Sequence, residues 1–328
     1  ERVSIYRAIY SIAHAFELSV VFDTKKNNLP VRPFRYEPCK ISIGDTILVT
    51  GRIEHVETSF SEIGSAITLR GRSLAGTLID VTHPGPTRQF IDETLEQISK
   101  TLAGPFGIGV SFAETAPTET FSKAVIPHDE TIFTFLKRLA DMRGLLMTSD
   151  AYGNLVYTKA DFSGSAVASI AEGQGTLLST EAIFDGALRY SDISMDSKKR
   201  NGSAVRESVI DEVLLAQDIN RPLTVSPMHS PDDDLAVAVA WERGKRVSDS
   251  VSIDCKLSGW SPPGSDTPWE PNTVISTRLP SCFIDRTTRA LIKSVRLERS
   301  IDGTVSILSL SLPEAYTDDS TSAVPWNQ

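Results

Sequence analysis

The chain has 328 residues, too many for one ordinary small core, and its 40% hydrophobic and 23% charged residues give every domain a core to bury. Wholesale disorder is thereby excluded. With 33 basic against 42 acidic side chains the net charge is −9, which argues against a protein built to grip phosphates yet lets DNA pass close by without sticking.

Short strand signals fill residues 1–85, among them residues 16–22, 46–49 and the alternating Ala66-Ile67-Thr68-Leu69-Arg70, with a turn at Ser42-Ile43-Gly44-Asp45. They predict a small antiparallel β domain that ends at the break His83-Pro84-Gly85-Pro86. Over residues 86–165 the period changes. Ile91, Leu95, Ile98 and Leu102 predict an amphipathic helix with Thr87 as N-cap and Gly104-Pro105 as its stop. A second helix is predicted over 129–143, burying Ile132, Phe133, Leu136, Leu139 and Ala140 and ending at Gly144. A hairpin of residues 145–148 and 155–158 around Gly153-Asn154 completes a small α+β domain.

The Gly/Ser/Ala-rich stretch 163–175 reads as a linker. Residues 166–328 form the third unit, a second β domain. It opens on a strand at 187–190, continues through a long polar hairpin loop over 192–202, and carries a helix at 231–246 started by Ser230-Pro231-Asp232-Asp233-Asp234. Residues 251–257 alternate strictly, and 290–297 pair with 304–312 through Asp302-Gly303. A β-bulge near Ile307 is expected to explain a slip in the apolar register. From residue 317 the tail is polar and loose, and no solenoid-type repeat is present. The fold class expected is α+β multidomain, mainly β: two similar small β domains separated by a small α+β domain, with a helix inserted in the second.

No catalytic constellation emerges. Gly71-Arg72-Ser73-Leu74-Ala75-Gly76 is one residue away from a nucleophile elbow, but no long helix follows it and no His with an orienting acid can be assigned. Gly104-Pro105-Phe106-Gly107-Ile108-Gly109 runs from helix to strand, the reverse of a phosphate cradle. His14, His55, His83, His128 and His229 never pair at metal-ligand spacing and read as surface or cap residues. Asp232, Asp233 and Asp234 read as a helix start without the glycine and distal glutamate of a calcium loop. Lys198-Lys199-Arg200 reads as a solvated loop and Asn201-Gly202-Ser203 as a turn. Trp241, Trp260 and Trp269 read as core aromatics.

Cys39, Cys255 and Cys282 lack any CxxC spacing, so reduced thiols are expected. No apolar run reaches the roughly 18 residues of a membrane span and Glu1 opens no signal peptide. The chain reads as cytoplasmic when made, with a leading segment before Glu1.

Three stretches carry a family resemblance. Residues 67–80, Ile67-Thr68-Leu69-Arg70-Gly71-Arg72-Ser73 onward to Asp80, resemble a strand-then-"GR…DLVD" segment. Thr131-Ile132-Phe133-Thr134-Phe135-Leu136-Lys137-Arg138-Leu139-Ala140, followed by Gly144 and Asp150-Ala151-Tyr152-Gly153-Asn154, resembles a helix-hairpin unit. Trp241, Gly259-Trp260, Trp269-Glu270-Pro271-Asn272, Leu291-Ile292, Val295 and Leu310-Ser311-Leu312-Pro313-Glu314-Ala315 resemble, in order and spacing, the ending "W…GW…WxPN…LI..V…L.LP.A". Together they resemble the baseplate hub proteins of Mu-like contractile-tailed phages, the group of late-control and 43 kDa-type tail proteins, which is related to type VI secretion spike hubs. A compressed span from Pro33 to Gly51 and an abrupt start depart from that pattern.

The resemblance implies a non-enzymatic homotrimer whose two tube-like β-barrel domains per subunit form a ring of six. Such a ring joins a sixfold tail tube to a threefold spike and lets DNA pass unbound, with an acidic lumen. Its partners would be the tail tube protein and the central spike protein. It would work in the virion baseplate after assembly in the host cytoplasm, without cofactor, metal, membrane span or small-molecule substrate. The alternatives are a tail-associated peptidoglycan hydrolase, the hub of a type VI-like injection system, and a β-barrel nucleic-acid binder.

Overall fold

The alternating strands at the two ends of the chain meet in one sheet. The computed structural model describes residues 2–22, 35–61, 64–198, 204–225 and 235–311. In the first part lie β1 (Arg2–Ala8), β2 (Ala15–Phe22), β3 (Pro38–Ile43), β4 (Thr46–Ser61) and β5 (Gly64–Ser73). The middle unit holds α1 (Leu95–Ala103), β6 (Val110–Phe112), α2 (Ile132–Asp141), β7 (Leu146–Ser149) and β8 (Leu155–Thr158). Then come β9 (Ser169–Ala171), β10 (Leu177–Phe184), β11 (Asp192–Lys198), β12 (Ala204–Ile210), β13 (Pro222–Val225), α3 (Leu235–Asp249), β14 (Val251–Ser258), β15 (Val274–Leu279), β16 (Ile284–Ser300) and β17 (Gly303–Ser311).

One connectivity occurs twice. The 11-stranded sheet runs β10-β14-β17-β16-β1-β2-β5-β4-β3, with β15 on β16 and β9 on β15. In the first unit the first strand pairs with the second, the second with the fifth, the fifth with the fourth and the fourth with the third: β1-β2-β5-β4-β3. In the second unit β10-β14-β17-β16-β15 follow the same rule, every pair again antiparallel. The long fourth strands match in detail. β4 ends at Ser61 with β5 starting at Gly64, and β16 ends at Ser300 with β17 starting at Gly303. The ladders to the fifth strands shift register between Ile53 and His55 and between Ile292 and Ser294, so Glu54 and Lys293 are corresponding bulge residues.

The two units share one sheet through β1 on β16, and they share one core in which Ile5, Phe16 and Ile53 join Ile253, Leu257, Trp269 and Leu308. They are therefore open sheets joined edge to edge, and no closed barrel forms among the described residues, because β1 uses the edge of β16 that closure would need. The middle unit buries its own core, with α1 and α2 against the sheet β7-β8-β6, where Tyr157 donates to or accepts from Ser99 at 2.7 Å. Ala75 and Leu78, just after β5, belong to that core. A third small sheet, β12-β11-β13, packs under α3 between β10 and β14 of the second unit.

Several local expectations are corrected. Thr94, not Thr87, caps α1, because Thr94 and Gln97 form a reciprocal capping box, and Ile91 lies before the helix, exposed. Phe135 rather than Phe133 is the fully buried aromatic of α2. Residues 186–188 form a 3-10 turn, while the supposed loop 192–198 is strand β11, paired in register with β12. The bulge lies on β16 at Lys293, not near Ile307: β17 is continuous on β14, and Val305 and Ile307 simply face away from Leu308 and Leu310. The proposed cap 230–234, residues 199–203 and the tail from 317 fall outside the described residues.

Candidate functional surface

The sheet has one apolar face, packed into the shared core, and one polar face, as alternation over long antiparallel strands requires. On the polar face of the first unit, Glu17 lies opposite Arg70, and Arg70 opposite His55. Arg70 Nε donates to Glu17 at 2.7 Å and its Nη1 to Glu57 at 3.5 Å. Arg72 donates to both oxygens of Glu54 at 2.7 and 2.9 Å and also reaches Asp80. These carboxylates push both guanidiniums further toward the protonated form than usual. Arg296 stacks on the Tyr6 ring 5.4 Å away, and Ser19 and Thr68 share a hydrogen bond of 2.8 Å.

Of these, Tyr6, Glu17, Glu54, Arg70, Arg72 and Arg296 line a shallow, open depression of about 360 Å³. Exposed pairs of this kind add little stability. Their chemical effect is to cancel the charge of Arg70 and Arg72 locally, while Arg52, opposite Arg72, donates to Tyr36 O and Arg296 rests on Tyr6. Gly71 is fixed here by packing, since a Cβ would lie 2.1 Å from the Arg52 carbonyl oxygen and 2.5 Å from the Phe16 ring.

A second depression, about 320 Å³, lies where the three parts meet, between Tyr10, Asp141, Trp241, Asp249 and Lys293. Asp141 accepts from Lys137 at 2.9 Å and from Trp241 Nε1 at 3.1 Å, so its carboxylate is already engaged. Burial pulls the Lys293 ammonium below its ordinary value, with its Nζ 3.5 Å from the Ser248 and Val251 carbonyls.

The residues weighed for chemistry have structural places. Ser73 is buried, donates to Ile12 O at 2.7 Å and accepts from His14 N at 3.1 Å, so its hydroxyl is spent on the backbone. Gly104–Phe106 is a 3-10 turn ending on Gly107 at φ 69. His14 and His83 are buried, contrary to the surface reading: His14 Nε2 lies 3.2 Å from Ala8 O and Thr148 Oγ1, and His83 Nε2 lies 3.0 Å from Thr87 O. His55 and His128 are exposed, and His229 is outside the described residues. Trp241 and Trp269 are buried, and Trp260 donates to Glu298 O at 2.9 Å. Cys39, Cys255 and Cys282 are free thiols. Among the described residues no three His, Cys, Asp or Glu side chains gather as metal ligands, and no helix is long and apolar enough to cross a membrane.

The Trp269-Glu270-Pro271-Asn272 motif has a mechanical place. Asn272 Nδ2 donates to Thr158 Oγ1 at 3.2 Å and Lys159 O at 3.0 Å while its Oδ1 accepts from Asp161 N at 3.0 Å, tying the middle unit to the second β unit. The polar face was missed from sequence, although Arg70 and Arg72, two apart in a strand, already had to share one side.

Sequence comparisons match three stretches of the chain. Residues 1–73 match the N-terminal domain of "Mu phage baseplate assembly protein GpP-like", residues 75–159 the second domain of "Baseplate hub protein gp44-like", and residues 234–319 the fourth domain of "Mu phage baseplate assembly protein GpP". The baseplate hub protein gp44 of Escherichia phage Mu is 25% identical over 327 residues, spanning 96% of this chain and 84% of that protein. Among solved structures, the 43 kDa tail protein of prophage MuSo2 from Shewanella oneidensis aligns with a TM-score of 0.82 at 25% identity over 96% of this chain and 94% of that one. A tail protein from Neisseria meningitidis MC58 aligns at 0.80 and 21% identity over 98% and 94%. The fold extends to the E. coli type VI secretion component c3393, at 0.60 and 10% identity over 95% and 73%.

Proposed function

The chain belongs to the Mu-like family of phage baseplate hub proteins, and from that premise we propose that it acts as a homotrimeric ring adapting a sixfold tail tube to a threefold spike. The observation that carries this reading is the doubled connectivity. Two units with the same strand order and corresponding bulges, joined edge to edge in one chain, let three chains present six near-equivalent sectors. A hexagonal tube can then seat on one side while a trimeric spike seats on the side where the chain's middle unit breaks the sixfold pattern.

The polar face fits the lining of such a ring. Arg70 and Arg72 are held by Glu17, Glu54, Glu57 and Asp80, so DNA moving past would meet fewer free cations there, leaving Arg52, which donates to Tyr36 O, and Arg296, stacked on Tyr6. The domain division offered keeps the sequence reading of 1–85, 86–165 and 166–328 except that the first boundary moves back to the end of β5, since Ala75 and Leu78 pack into the middle core. The role is mechanical and needs no turnover: nothing near Ser73, Asp141 or Lys293 favours a hydrolase. Light scattering on the purified chain at micromolar concentration tests the reading. Three chain masses, with sixfold-looking rings in negative stain, are expected; a stable monomer is the contrary result.

A further inference from the structure

The two β units meet within one chain through a defined ladder. Across the first unit, one row of facing residues runs Ile53, Gly71, Phe16, Ile5 and then crosses into the second unit at Leu297 of β16. The corresponding row of the second unit runs Ile292, Leu310, Ile253, Ala182 and stops, because among the described residues β10 pairs only with β14. Along β16, Leu297 stands to Ile292, across the bulge, as Thr58 stands to Ile53 along β4.

The matching stretch of β4 is open as well. β3 and the residue before it accompany β4 only as far as Ile53, whose N–H donates to Glu37 O at 3.0 Å. Beyond that point residues 55–60 pair on one side only, with β5, among the described residues.

We propose that β10 of one copy adds antiparallel to the open edge of β4 in a second copy, with Thr180 opposite Phe60, Glu181 opposite Ser59, Ala182 opposite Thr58 and Ile183 opposite Glu57. This register is the β1–β16 ladder transferred to the equivalent strands, and it deepens the ring reading, on which it rests.

Three features support it. Proteins guard exposed strand edges with Lys, Pro, bulges or covering loops. Residues 177–183, Leu-Leu-Ser-Thr-Glu-Ala-Ile, carry one charge, and the opposed stretch 55–60 contains no Lys and no Pro. Both edges also expose apolar side chains: Phe60 is 83% exposed, Ile183 56% and Leu178 54%. Finally, β10 and β4 lie toward opposite ends of the sheet, so the contact joins different surfaces head to tail. A contact of that kind continues until a ring closes, and within the ring intrachain and interchain ladders alternate.

Cysteine cross-linking of the purified full chain tests the register, in a Cys39→Ser background that removes the half-buried thiol. Neighbouring pairs in an antiparallel ladder alternate between wide and close spacing. Two double variants are therefore made, Ala182→Cys with Thr58→Cys and Glu181→Cys with Ser59→Cys. A third, Glu181→Cys with His55→Cys, is a control about 13 Å out of register. Mild oxidation should convert most of at least one in-register variant to covalent trimer on a non-reducing gel, while the control stays monomeric on that gel. Trimers in light scattering that fail to cross-link in either in-register pair, or that cross-link equally in the control, overturn the register and leave the ring reading standing. A monomer in light scattering overturns both.

Discussion

His14 lies where the turn after β1 meets the middle unit, with its Nε2 shared between Ala8 O and Thr148 Oγ1 and its Nδ1 buried without a partner. Burial first, and the charge of Arg7 second, bring its pKa down to about 4; Ala8 O and Asp150 pull weakly the other way. An unfolded histidine takes up a proton near pH 6.5. Between pH 6.5 and 4 the unfolded chain thus holds a proton that the folded chain refuses, and folding stability falls as pH falls through that window. The contribution is complete above pH 6.5 and amounts to about 3 kcal/mol lost by pH 4. Urea unfolding of the wild type and of His14→Gln should show the difference: the variant loses less stability than the wild type over this window, leaving the slope its carboxylates impose. Parallel profiles would mean that His14 is protonated in the folded protein. Its burial could not be read from sequence, because residue 14 sits in a turn and the surface covering it arrives from residue 148.

Trp241 shows how the elements are held to each other. On α3, it packs with Ile9 after β1, Leu146 of β7, Val274 of β15 and Leu291 of β16, so one indole touches all three parts of the molecule. Its Nε1 donates to Asp141 at the end of α2. Trp241→Ala should cost about 3–5 kcal/mol, the usual range for an emptied aromatic site. Because the lost contacts join units, one urea transition should resolve into two. Trp241→Phe keeps most of the volume and gives up the indole hydrogen bond, so the loss should be nearer 1–2 kcal/mol with the single transition retained. Equal effects from both substitutions would place the energy in the hydrogen bond and not in the packing. The helices themselves were legible in the spacing of apolar residues, and so was the hairpin 146–158 around Gly153. Their ends were less so. Thr87 and Thr94 are both acceptable caps, and only the chain path into the middle unit selects Thr94 with Gln97. Strand β11 was read as loop because Asp192, Ser194, Asp196 and Ser197 look polar, although Ile193 and Met195 are buried under α3.

The doubled unit is the property of the whole molecule that the sequence concealed. Corresponding rows read Ile53, Gly71, Phe16, Ile5 and Ile292, Leu310, Ile253, Ala182, sharing one residue type at one place. Position by position the rows differ, Phe16 with Gly71 standing where Ile253 with Leu310 stand, so similarity survives in the ladders and not in the letters. Charge follows the same logic across the polar face. Composition gave the chain a net −9, but what matters for passing DNA is how each arginine on that face is answered. Glu17 accepts from Arg70 Nε, and Glu54 holds Arg72 through both of its oxygens. The double variant Glu17→Gln with Glu54→Gln keeps the shape of the face and leaves both arginines underpaired. Wild-type protein should not retain duplex DNA in fluorescence anisotropy at about 0.15 M salt, whereas the variant should bind it. Its log–log salt slope should steepen by roughly 0.9 for each arginine that gains a phosphate. If the wild type binds as tightly as the variant, neutralisation of the arginines is not what keeps this surface clear of DNA, and the proposed lining must lie elsewhere on the sheet.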